Sequence, residues 1–182
     1  RLVVLKNADA SNAMVGLDVY LSPPAGTATT LTSAATTTAG SFTATSLSDW
    51  VTTGFWVYNV TKDDCRYVFY RSGNTAYFAA AGTGMRGLTA EAWESGDDIV
   101  PMPDADCGWD EGTANQYADP TDEETAPDGV TFSTPYNTTT ALAHPDIDMA
   151  ASGQIGMWLR ETIVDGNRAR EDLTPSINVR WS

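Results

Sequence analysis

Short runs of Val, Thr and aromatic residues recur between clusters of Gly, Pro, Asn and Asp, and helical periodicity is scarce. Such a pattern predicts an antiparallel all-β chain. Leu2 to Lys6 is a compact apolar run. After polar residues 7–12, Leu17, Val19 and Leu21 alternate with Asp18 and Tyr20, so the two segments are expected to pair as a hairpin. Pro23-Pro24 stops the second, because proline brings no amide to a ladder. Gly26 to Ser48 carries nine threonines and few large side chains; its β propensity predicts an ordered edge or surface crossing rather than a tether. Three strands are expected around Phe55-Trp56-Val57-Tyr58, Arg66 to Arg71 and Thr75 to Ala79. Gly73-Asn74 turns the second into the third, since both residues adopt positive φ at low cost. Thr89 to Glu94 supports one helical turn at most, and Pro101 and Pro103 close the segment.

Further strands are expected at 130–133, 154–163 and 176–181, the last two separated by the turn Asp165-Gly166-Asn167. Their alternation predicts an antiparallel β-sandwich built from 1–39 and 104–182, with 40–103 as a small inserted β subdomain. In such a sandwich Trp56, Tyr67, Phe69 and Trp158 read as core, and Trp158→Ala then costs about 3–5 kcal/mol. Trp50, Trp93 and Trp109 fall in turns, which makes them candidates for subunit contacts.

Charge narrows the partners. Across 182 residues, 24 acidic side chains face 10 basic ones, a net charge of −14. Binding to phosphate backbones and anionic lipid gains mainly from Lys and Arg, so neither nucleic acid nor membrane is an expected partner. No apolar run approaches the roughly 18 residues a bilayer span needs, and residues 1–7 do not read as a leader. Cys65 and Cys107 form neither a CxxC pair nor a disulfide-dense framework and read as small apolar residues, with a bridge between them left open.

Candidate chemistry is sparse. His144 is the single histidine and precedes Pro145 in a polar loop with nothing resembling a nucleophile elbow nearby; one histidine and two distant cysteines do not make a usual zinc set. Asp104, Asp106 and Asp110 lie at the head of an acidic stretch running to Asp128 and form a weak metal candidate. The EF-hand pattern fails there, because Trp109 and Asn115 stand where its glycine and bidentate glutamate belong. Gly82, Gly84 and Gly87 have dinucleotide spacing but no following helix, and Arg86 among them reads as a loop tie or subunit contact. No cofactor is expected, and no paired carboxylates for glycoside hydrolysis can be singled out from spacing alone.

Two sets of motifs resemble those of a known class. Tyr67 to Thr75, Met85-Arg86-Gly87-Leu88-Thr89-Ala90-Glu91-Ala92-Trp93 and Gly96-Asp97-Asp98-Ile99-Val100 resemble the small β module of tailed-bacteriophage virion proteins, with its Y-x-x-S-G-N hairpin. Leu88 departs from that pattern, which has glycine. Thr125 to Ser133 and Gly156 to Ile163 are similar to phage segments of the form TAPxGVxFS and GxWxRRT, with Glu161 in place of the second arginine. The resemblance implies a non-enzymatic virion component, in tail, baseplate or capsid decoration, assembled in host cytoplasm with free cysteines. Its partners would be other virion proteins and copies of itself, docked through edge strands or extended arms. The rival reading is a secreted carbohydrate-binding or adhesin-like β-sandwich using Trp50, Trp93 or Trp109 against glycans and the acidic stretch for calcium.

Overall fold

The computed structural model describes residues 2–78, 88–110, 127, 129–144, 148–161 and 176–181. Their regular structure is strand throughout, every pairing is antiparallel, and the chain divides into two compact units.

The first unit takes residues 2–22 and the described parts of 105–161 and 176–181. One sheet orders β1 (Leu2–Lys6), β13 (Gln154–Glu161) and β10 (Ala105–Asp110); a second orders β11 (Leu142–Ala143), β3 (Asp18–Leu21) and β14 (Ile177–Arg180). Leu17, Val19 and Leu21 meet Ala105, Cys107, Trp109 and Met157 in the core, as alternation in a sandwich requires. A ribbon of β2 (Met14–Val15) and β12 (Asp148–Met149) completes the unit. The expected hairpin of the first two apolar runs does not form. β1 pairs with β13, Leu2 opposite Trp158 and Lys6 opposite Gln154, whereas β3 pairs with β11 and β14 in the other sheet. Asn7 turns the corner: its buried side-chain amide donates to the carbonyls of Asn12, Met149 and Ala150, and its Oδ1 accepts from Asp9 N. A hairpin would have put both apolar runs in one layer and left the core open on one side. Val130 to Ser133, expected as a strand, contributes only the bridge of Ser133 to Cys107.

The second unit begins at Pro23 rather than at residue 40 and runs to Asp104. Its six strands are β4 (Thr29–Thr30), β5 (Ser41–Thr43), β6 (Thr53–Asn59), β7 (Asp64–Ser72), β8 (Thr75–Phe78) and β9 (Asp98–Met102), ordered β4-β9-β6-β7-β8-β5. The two outer strands then join through a bridge between Leu31 and Ala44, with Thr32 N donating to Thr43 O and Thr45 N to Thr30 O, both at 2.8 Å. The sheet therefore closes into a small barrel. The threonine-rich segment is the closing stave, which is why the unit starts before residue 40 and why that segment offers no free edge. Phe42, Phe55, Val57, Val68, Ala76 and Ile99 fill the interior, as side chains must in a barrel this narrow.

Candidate functional site

The residues singled out for chemistry or docking take structural places wherever the structure describes them. On β10, alternation sends Cys107 and Trp109 into the sandwich core and Asp106, Gly108 and Asp110 to the opposite face. Asp106 is buried and is met by Arg160, opposite it in register, at 2.9 Å; the hydroxyl of Thr134 also donates to it. Buried Asp110 accepts the indole N–H of Trp158 at 2.8 Å. Gly108 lies between them because the backbone at Thr131 passes directly overhead: a Cβ there would come within 2.5 Å of the Thr131 carbonyl oxygen. Asp104 belongs to the other unit. The three carboxylates thus form no common donor set, and among the described residues no cluster of His, Cys, Asp or Glu is arranged to hold a metal.

Cys107 is free and buried, and burial, helped by the neighbouring Asp106 carboxylate, pushes its thiol up to about 12. A thiol so protonated is a packing group rather than a nucleophile. Cys65 is likewise free and buried. The His144 ring stands edge-on to Trp109, 5.0 Å between centroids, and its backbone amide donates to Leu17 O.

The three tryptophans expected at subunit contacts are all buried. Trp50 packs over Gly26, where a Cβ would lie 2.9 Å from the indole, and donates to Thr27 O. Trp93 plugs the barrel against Phe42 and Phe78 and donates to Asp64 at 2.7 Å. Trp109 donates to Leu142 O. Trp109 is no turn residue but lies on β10 and faces the sandwich core, whereas Trp50 and Trp93 fold inward to pack on the barrel core. The opposite correction applies to Phe69, which is 50% exposed, and in part to Trp158, which is half-buried. Arg86 and most of the acidic stretch lie outside the described residues.

Several residues of the motifs quoted in the sequence analysis tie the barrel together. Gly73 turns β7 into β8 at φ 58°, a conformation that disfavours a Cβ. Asn74 then accepts from Leu47 N and donates to Thr45 O, stitching the hairpin to the threonine-rich stave. Asp97 accepts from Asn59 and from Glu94 N. Arg66 and Asp64, which spacing did not reveal, form a buried pair at 3.0 Å. The Arg66 guanidinium also donates to the carbonyls of Thr36 and Glu91 and lies 4.5 Å from the Trp93 ring centroid. Alternation gives no signal for this pair, because reading Tyr67 and Phe69 as core turns Arg66 outward.

Comparison of the chain with family models, with curated proteins and with solved structures finds no match.

Proposed function

We propose that this chain is a structural, non-enzymatic component of a tailed-phage virion that assembles through protein–protein contacts, with tail or baseplate ahead of capsid decoration. The motifs quoted above motivate the reading, and the observation that carries it is the edge at β1. This strand ends its sheet, and no described strand pairs with its outer side. Asn7 N donates to Gly153 O in continuation of the β1–β13 ladder, so residues 3, 5 and 7 turn their polar backbone groups inward and Leu2, Val4 and Lys6 turn theirs outward. The edge holds no proline and no bulge, its only charge is Lys6, and Val4 is 43% exposed. Natural edges are ordinarily blunted by such devices. An unblunted one suits strand addition from a neighbour, in which main-chain bonds supply affinity.

Two measurements test the proposal. Peptide mass spectrometry of purified particles of the phage that encodes the chain should recover it in stoichiometric amount, and its absence would refute the assignment. Val4→Pro removes an outward amide without breaking the β1–β13 ladder. The variant should fold as the wild type does yet fail to enter particles, whereas normal incorporation would refute the role given to β1.

A further inference from the structure

One aromatic cluster of the described residues stays uncovered, on the outer face of the barrel. β7 carries one residue more than β8 between Val68 and Tyr70, and this bulge brings Phe69 and Tyr70, consecutive in sequence, out together at 50% and 41% exposure while Val68 stays buried. Tyr77, opposite Tyr70 in register, stacks on it with centroids 4.5 Å apart and planes 12° from parallel; Phe69 stands at 83° to Tyr70 with centroids 6.2 Å apart. The result is a stacked tyrosine pair, whose facing surfaces cover each other and leave an outer ring face and the ring edges open, with a phenylalanine at right angles.

What surrounds the rings narrows the ligand. The register sets Ser41 opposite Tyr77, Thr53 opposite Tyr70, and Thr43 and Ser72 opposite Thr75. Arg71, the nearest cation on the strand, is turned away to the carbonyls of Ser48, Trp50 and Val51. The patch is therefore aromatic and hydroxylic without a formal charge, on a chain of net charge −14. Phe69 and Tyr70, about half exposed, and the less exposed Tyr77 present on the order of 200 Å², well short of the roughly 800 Å² per partner that a stable protein interface buries. That area suits a small ligand, and the hydroxyl rim suits a polyol.

We infer that Phe69, Tyr70 and Tyr77 bind an uncharged pyranose unit of a glycan. The C–H bonds of one sugar face lie against an outer ring face of the tyrosine stack, beside Phe69, and its hydroxyls exchange hydrogen bonds with the flanking Ser and Thr side chains. The inference is independent of the virion assignment, since a glycan site can fail in a true virion protein and hold in a protein absent from particles.

The test is calorimetry and NMR of the full chain with maltohexaose, cellohexaose and tetra-N-acetylchitotetraose. At least one should bind saturably, shifting tyrosine ring resonances in the wild type, with affinity unchanged by added salt. Tyr70→Ala and Phe69→Ala should each weaken binding about tenfold or more, with the native NMR spectrum retained outside the patch because both side chains lie at the surface. Two outcomes overturn the inference: no binding of any of the three sugars at about 10 mM, or equal binding by Tyr70→Ala.

Discussion

Replacing Arg66 by methionine should be among the most damaging single changes in the barrel. The Arg66 and Asp64 side chains are 1% and 0% exposed, so both charges have left water and depend on each other. Asp64 Oδ2 accepts from Arg66 Nε at 3.0 Å and from Trp93 Nε1 at 2.7 Å, while Oδ1 accepts from no described residue. Methionine keeps most of the volume and removes the cation. The carboxylate would keep only the indole N–H, the Thr36 and Glu91 carbonyls would lose their donor, and the ring contact with Trp93 would lose its charge. Breaking a buried pair from one side costs about 3–5 kcal/mol, against a typical total stability of about 5–15 kcal/mol. The double variant Asp64→Leu, Arg66→Met removes both charges together and leaves only neutral groups without partners, the Trp93 N–H and the Thr36 and Glu91 carbonyls, each costing about 1–2 kcal/mol. It should therefore be more stable than Arg66→Met alone, with a coupling of about 2 kcal/mol or more. Urea titrations followed by the Trp93 indole resonance read out the barrel separately from the sandwich. A loss below about 1 kcal/mol in Arg66→Met, or a double variant equal to the sum of the singles, would refute the reasoning.

Other expectations follow from single contacts. The Cys107 thiol is raised from its ordinary 9.0 to about 12, so the folded state holds its proton where the unfolded chain has lost it. The stabilisation is present below pH 9 and lost as pH climbs toward 12, and iodoacetamide at pH 8 should spare Cys107 in the native protein but label it in denaturant. Gly108→Ala should destabilise by about 1–3 kcal/mol through collision with the Thr131 carbonyl, whereas Gly73→Ala should cost about 1 kcal/mol from backbone strain alone, because nothing lies within 4 Å of its would-be Cβ. Thermal melts distinguish the two. Trp158→Ala should cost about 2 kcal/mol rather than the larger core value, since the side chain is only partly buried and its principal tie is to Asp110; a loss above about 4 kcal/mol would place it in the core after all.

Much of the sandwich was legible from alternation. Leu17, Val19 and Leu21 face the core because a period of two, once one residue is buried, dictates the rest, whereas β10 was not legible, since its aspartates read as part of a solvated acidic stretch and Trp109 as a turn residue. Turn chemistry was legible for the same local reason, as Gly73-Asn74 shows. The candidate site was less so. Turns were read as exposed, yet Trp50 and Trp93 cap a barrel whose closure no local pattern announces, and strand-like spacing placed Phe69 inside where a bulge turns it out.

The all-β character, the Gly73 turn and the acidic balance were thus determined by the amino acids in order, because each depends on neighbours a few residues apart. Which strand pairs with which was decided only in three dimensions. Leu2 to Lys6 meets Gln154 to Glu161, and Leu31 meets Ala44 to shut the barrel, because backbone amides and carbonyls are alike in every residue and only burial of the side chains selects their partners.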